Sequence, residues 1–301
     1  MGRRVLITGA ANWVGTALAR ELLADPDVEA VIALDTRAPD LRPDDRVVHV
    51  DADIRSPELA RVLAPHAPDV VVHNDVLQFA EPGRSARLLH EINVVGTLQL
   101  LAASSALPTL GTLVIRSAAA IYGSEPNAPS FFTEDMVRRY PLRTRWQRDV
   151  SELENLVEGY ARSHPAVTCT ILRPQPVVGK GLHTPIMRLL RSTVVPTWMG
   201  YDPRIQVVHG EDLVGALAVA VRGPVRGPVN VAGDGTVALS RMLRRLGRIG
   251  LPIAPLGLGG AGPDVVRYLR YGRGVDTTRM REELGFVPRR STIEAIEATA
   301  A

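Results

Sequence analysis

The chain is short of cysteine, of lysine and of long apolar runs, and each scarcity removes a class of protein. Cys169 is the only cysteine among 301 residues, so no disulfide forms within the chain. Set in the apolar run AVTCTILRP, it reads as a packed core residue of a reduced intracellular protein rather than a nucleophile. No stretch is apolar for long enough to span a bilayer, and the opening RRVLITGA has no charged-then-apolar leader with a small-residue cleavage site, so a cytoplasmic protein with no membrane partner is expected. A formal charge of +3 with acidic residues spread throughout leaves no basic block. The arginines of RMLRRLGR (241–248) read as a solvated helix face, not a nucleic-acid contact. No metal site is expected. Of the 35 basic residues only Lys180 is lysine, which bears on mechanism below.

What is present is an alternation. Strand-like runs (RRVLIT, EAVIALD, RVVHVDAD, DVVVHND, GTLVIRS, AVTCTILRP) are separated by amphipathic helical segments, among them WVGTALARELLAD, SPELARVLAPH and SELENLVEGYARSH. Apolar strands between such helices are what a parallel sheet covered on both faces requires, so a doubly wound α/β sheet is predicted. After about residue 173 Pro and Gly recur at 174, 176, 179, 181, 185, 196 and 200. The expected division is a dinucleotide-binding domain over 1–172 and a smaller substrate lobe over 173–301, interleaved with elements near 205–233 that return to the main body. The segment RIQVVHGEDLVGALAVAV is read as that return, strand then helix, and the helix after the third strand is expected to start at Ser56 and Pro57.

The first strand runs into VLITGAANWVG (5–15). Gly9 can turn tightly, Gly15 can let a helix pack close to the strand, and N–H groups at the helix start can receive a pyrophosphate. The usual central glycine is missing, because Asn12 and Trp13 occupy that region. Asp35 ends the second strand twenty residues after Gly15, where a carboxylate can accept from a ribose hydroxyl. Asp53, after the third strand, is placed to contact adenine or to serve as a turn residue. Asp35 favours NAD, whereas Thr36 and the fork-shaped Arg37 immediately beyond it suit a 2′-phosphate if Asp35 turns aside, so the residues leave NAD and NADP open.

Taken together, TGAANWVG, DADIRS, VVHND, INVVGTLQLL, IRSAAAIYG, ILRPQPVVG, VVHGEDLVGAL and DTTRMREELGFVP resemble, in order, the motifs of the extended short-chain dehydrogenase/reductase family, which includes sugar-nucleotide epimerases and dehydratases. The resemblance covers essentially the whole chain and implies a Rossmann-type fold with the dinucleotide along Gly9, Asn12, Trp13, Val14, Gly15, Asp35, Thr36, Arg37, Asp53, Ile54, Asn74, Asn93, Ser117 and Pro174. It also shows three departures. Catalytic members carry Ser or Thr four residues before the Tyr-Gly of a segment like SAAAIYG, then Tyr and Lys four apart on the next helix. Here those positions fall on Ala118, Trp146 and Val150. No tyrosine in the chain has a lysine four residues later.

Without that set, a carbonyl reduction must draw its proton from water, from Tyr140, Ser117, His73 or Asp75, or from a phenol on the substrate itself. The expected substrate pocket comprises Asn74, Asp75, Ser117, Tyr140, Trp146 and Val150. Trp146, Val150, Pro176 and Val178 at positions often polar in the family suggest a flatter, more apolar substrate. In length, arginine-rich composition and all three departures the chain resembles an atypical branch that reduces ketones of angucyclinone-type aromatic polyketides in antibiotic biosynthesis. That resemblance implies NADPH as cofactor and a ketoreductase acting on an aromatic small molecule, as monomer or homodimer. The alternatives are a non-catalytic dinucleotide-binding protein and a sugar-nucleotide epimerase or dehydratase relative.

Overall fold

Val5 and Ile7 of the first strand pack on one side of the sheet and Leu6 on the other, as the two-residue period of a strand covered on both faces dictates. The computed structural model describes residues 2–78, 85–137, 139–223, 225–252 and 263–299. The strands β1 (Arg3–Thr8), β2 (Val28–Leu34), β3 (Val47–Val50), β4 (Val70–His73), β5 (Thr112–Arg116) and β6 (Thr168–Pro174) belong to the main sheet. Beyond it come β7 (Val177–Val178), β8 (Val194–Thr197), β9 (Arg204–Ile205) and β10 (Val208–His209). Then β11 (Gly227–Val231) rejoins the sheet, followed by β12 (Val237–Ala238) and β13 (Ile249–Pro252). The seven main strands are all parallel, in the order β11-β6-β5-β4-β1-β2-β3. This is the doubly wound sheet that the alternation predicts. The order reverses between β1 and β4, and sheets of this kind open a crevice for a ligand outside the carboxyl ends of the strands at such a point.

On one face lie α1 (Trp13–Leu23) and, far along the chain, a helix over Gly210–Ala220; on the other lie α2 (Leu59–Leu63), α3 (Ala86–His90), α4 (Thr97–Ser105) and α5 (Arg145–Ser163). α3 and α4 are one continuous rod joined by a π-helical stretch, Glu91–Gly96. Apolar side chains of α1 and of 210–220 form one core with β1, and those of α2, α4 and α5 form the second. Cys169 is buried in the second core, and burial pushes its thiol up to about 11, which suits packing and not nucleophilic work. The remaining helices are α6 (Pro185–Leu190), α7 (Gly210–Ala220), α8 (Leu239–Arg245), α9 (Pro263–Tyr271), α10 (Thr278–Glu282) and α11 (Thr292–Glu297). Of these α6, α8, α9 and α11 enclose a third core around Val195, Trp198 and Met242. In α8, Leu239, Met242 and Leu243 are buried while Arg241, Arg244 and Arg245 face solvent, Arg245 pairing with Glu297 at 3.1 Å.

Two sequence expectations are corrected. The returning strand is β11, not the segment at 205–209: β9 and β10 are two residues long and pair with β12 and β7, while α7 alone packs against α1. The helix expected from Ser56 starts at Leu59, because the carbonyls of Asp53 and Ser56 accept the N–H groups of Ser56 and Leu59 and close a turn first. Among the described residues no helix is long and apolar enough to cross a membrane.

Candidate active site

A cavity of about 580 Å³ lies over the carboxyl edge of the sheet. Residues just past the ends of six strands line it: Ala11 to Val14 after β1, Asp35 to Arg37 after β2, Asp53 after β3, Asp75 after β4, Ser117 after β5 and Gln175 after β6.

The loop after β1 is drawn tight without a central glycine. Gly9 has φ of +62°, open to glycine at little cost, and a Cβ there would stand 2.8 Å from the Asn12 side chain. A Cβ on Gly15 would meet the Gly9 carbonyl at 2.2 Å, so only glycine lets α1 approach this closely. Asn12 replaces the missing glycine by clasping the turn: its Oδ1 accepts from the Gly15 N–H at 2.9 Å and from Asn74 Nδ2 at 3.1 Å. Trp13 sends its indole toward Gly181 of the smaller lobe and toward Gly210 at the start of α7. The first-turn N–H groups of Trp13 and Val14 have no partner within the helix, the usual provision for a phosphate.

Asp35 is fixed at the cavity wall. Its Oδ2 accepts from the Ala11 N–H at 3.0 Å and its Oδ1 from the Arg37 N–H at 3.1 Å, so β2 is tied to the nucleotide loop with the carboxylate facing the space. Arg37 and Thr36 are exposed at the same wall. Asp53 serves as a turn residue, accepting from the Arg55 N–H at 2.9 Å, and it lines the cavity beside Ile54. The Arg55 guanidinium, 2.5 Å away and shared with Glu91, holds the Asp53 carboxyl below its ordinary value. The tight loop, the first-turn N–H groups and a carboxylate at the end of β2 together fit a dinucleotide.

Several expected site residues stand elsewhere. Asn74 is fully buried under the loop, its amide donating to the Gly9 carbonyl and Asn12. Asn93 braces the segment after β4, bonding both backbone groups of Leu77 at 2.8 and 2.9 Å. Val150 is buried against Tyr122 and Phe132. Tyr140 rests its ring edge on Phe132 and donates to the Asn127 carbonyl at 2.7 Å, away from the cavity wall. His73 is no proton source either. Thr97 gives its hydroxyl proton to the Asn93 carbonyl and so accepts from His73 Nε2, while Nδ1 accepts from Thr8, both at 2.9 Å. This neutral tautomer is sealed in the core, and burial depresses the ring's pKa to about 3. Ser117 does reach the wall, but its hydroxyl donates to Glu154, which also takes Arg173 at 2.6 Å in a buried ion pair. Asp75, Trp146, Ala118 and Pro174 line the cavity.

Among the lining residues that escaped the sequence reading are Arg116, Gln175, Asp264 and Arg273. Arg116 donates to the carbonyls of Asn74 and Val76 at 2.8 and 2.6 Å, and desolvation brings its pKa down to about 10. Arg273 is 4 % exposed and stacks over Tyr268, 5.0 Å from the ring centre. Its signal lay in GRG: Gly272 and Gly274 would each place a Cβ 2.4 Å from a backbone oxygen, so this arginine is threaded through a gap only glycines allow. Asp264 opens α9, and burial pushes its carboxyl above the ordinary range against the pull of Arg273, Gln147 and Arg267. Among the described residues no group of His, Cys, Asp and Glu could hold a metal ion.

Residues 5–232 match the model of the NAD dependent epimerase/dehydratase family. An uncharacterized protein of Mycobacterium tuberculosis is 37 % identical over 97 % of this chain and 82 % of its own length. The UDP-glucose 4-epimerase of Mycolicibacterium smegmatis is 28 % identical over 98 % of this chain and 97 % of its own. Among solved structures, the Bordetella bronchiseptica enzyme WbmH in complex with NAD+ shares the fold with a TM-score of 0.77 at 19 % identity, over 99 % of this chain and 97 % of that one.

Proposed function

The chain belongs to the NAD dependent epimerase/dehydratase family, and from that premise we propose that it is an NAD-dependent oxidoreductase acting on a hydroxyl or ketone of a nucleoside-diphosphate sugar. The observation that carries the reading is the wall away from the nucleotide loop, where Arg116, Arg273, Asp264 and Gln175 line the cavity. Two arginines, a carboxyl group and an amide suit a phosphorylated, hydroxylated substrate better than the flat apolar one the sequence suggests. The likeness to a UDP-glucose 4-epimerase along nearly the full length of both chains supports the same substrate class.

The first-turn N–H groups of α1 would hold the pyrophosphate and Asp35 the adenosine ribose. Bound there, a nicotinamide dinucleotide would supply hydride exchange with the substrate carbon. The resemblance implied NADPH, which the residues accommodate if Asp35 turns aside; with both its oxygens on backbone N–H groups Asp35 stays in place, and its charge opposes a 2′-phosphate. Arg37 remains exposed beside it as a secondary aid to NADP.

A second reading, reduction of an aromatic ketone that donates its own phenolic proton, draws on Trp146, Leu88 and Ile92, which give the cavity an apolar side. The two separate in one assay set: the protein is incubated with oxidised dinucleotide and nucleoside-diphosphate sugars, and with reduced dinucleotide and aromatic ketones, following nicotinamide absorbance and product epimers. Turnover of a sugar nucleotide supports the first reading, turnover of ketones alone supports the second, and bound dinucleotide without either reaction supports a non-catalytic binding protein.

A further inference from the structure

We propose that Asp264 is the acid–base residue of this site, with Arg273 stabilising the oxygen on which negative charge develops. This deepens the redox reading above and rests on it.

The geometry begins one residue beyond Trp146. Gln147 lies in the first turn of α5, where its Oε1 accepts the N–H groups of Arg143 and Thr144 at 2.7 and 3.1 Å. Two backbone donors on that oxygen fix which end of the amide is which, so the Nε2 end is turned outward and donates to Asp264 Oδ1 at 3.1 Å. The carboxyl group is thereby pinned to the helix that carries Trp146, and both residues line the cavity. Asp264 is 7 % exposed and takes part in no ion pair among the described residues.

Among the described residues the Arg273 side chain makes only long hydrogen bonds to neutral acceptors, the Gly123 carbonyl at 3.3 Å and Ser124 Oγ and Gln175 Oε1 at 3.4 Å. A buried guanidinium that forms no ion pair among the described residues, and acts on Asp264 only from a distance, keeps attraction to offer a further anion. The other ionisable groups around Asp264 are Tyr268, hydrogen-bonded to Gln206, and Arg267, which is engaged by Glu125 at 2.6 Å as that carboxylate also takes Arg143. Burial outweighs these cations and raises the carboxyl's affinity for a proton, the direction a general acid working near neutrality needs.

In the oxidising direction the substrate hydroxyl proton passes to the Asp264 carboxylate. The carbinol C–H bond breaks with its electron pair leaving as hydride to the oxidised dinucleotide, and the C=O bond forms; the alcohol is oxidised and the dinucleotide reduced. In the reducing direction the protonated carboxyl returns its proton to the oxygen beside Arg273.

The test needs no substrate at first. Infrared difference spectra of the full chain between about pH 4 and about pH 8 should show a protonated-carboxyl band titrating above the ordinary aspartate value of about 3.9. The band should be absent in Asp264→Asn and should titrate still higher in Gln147→Met, which loses the amide donor. With a turned-over substrate, Asp264→Asn should lower kcat by about 10²- to 10⁴-fold while dinucleotide affinity changes less than about twofold. Should Asp264→Asn fail to fold, Asp264→Glu and Gln147→Met carry the same two readouts. An unchanged band in Asp264→Asn, or a rate loss below about tenfold, overturns the inference while dinucleotide binding stands. A wild-type protein that binds no dinucleotide overturns the redox reading, and this inference with it.

Discussion

The two ends of the cavity are built differently. At the nucleotide end the side chains are contiguous or nearly so: Gly9, Asn12 and Gly15 shape one turn, and Asp35 closes on it from the next strand. At the substrate end the wall is assembled from residues 116, 146, 175, 264 and 273, and it rests on a buried ion pair between Arg173 and Glu154, 2 % and 3 % exposed. The nucleotide end takes its strength from backbone geometry, and the substrate end from charges removed from water. The two should therefore break differently.

The largest effect is expected from Glu154→Gln. It leaves the Arg173 guanidinium buried without a counter-charge and should cost about 3–5 kcal/mol in denaturant unfolding. Asp53→Asn at the nucleotide end breaks an ion pair whose partners are 34 % and 39 % exposed, and should cost less than about 1 kcal/mol. Equal losses would erase the contrast.

Acid should reach the molecule between its two ends, at His73. An unfolded histidine takes a proton near pH 6.5 and the folded one only near 3, so the unfolded state binds more protons throughout that window. Stability that is fully present above about pH 6.5 is lost as the pH falls, by an amount on the order of a few kcal/mol. His73→Gln should flatten this limb of a pH-dependent unfolding series; an unchanged slope would place the acid lability elsewhere.

Smaller effects should sharpen the account of the nucleotide end. NADH should bind at least about tenfold more tightly than NADPH, Asp35→Ser should narrow the gap, and Arg37→Ala should weaken NADPH more than NADH. Equal losses for both dinucleotides would remove Arg37 from any phosphate site. The smallest effect is expected from Trp146→Tyr, which should change the rate by less than about tenfold, because Val150 leaves a new phenol without a cation. A large gain would contradict this reading of α5.

The same contrast decided what could be read from the sequence. The doubly wound sheet was legible because strand and helix periods alternate along the chain, and the turn at Gly9 to Gly15 because its parts are neighbours in sequence. A return within 205–233 was legible, but its strand was placed on RIQVV rather than on β11, since the apolar α7 follows that segment directly. Arg273 and Asp264 come from beyond residue 260 and reach Gln175 and Gln147 only through the fold, so no local spacing marks them. Asn74 and Asn93 were assigned to the dinucleotide through the family resemblance, whereas the Asn74 amide N–H groups are spent on Gly9 and Asn12 and the Asn93 side chain, on a helix, is spent on the backbone of Leu77. Sequence could propose polar residues near the cavity. Which of them were already satisfied by the protein had to come from three dimensions.

The most direct test of a dinucleotide site with a charged substrate end is a calorimetric titration of UDP-glucose into the NADH-loaded protein, repeated on Arg273→Ala. The account predicts saturable binding by the wild type, weakened at least about tenfold by the substitution. Saturable binding of a flat aromatic ketone with no response to UDP-glucose would contradict it.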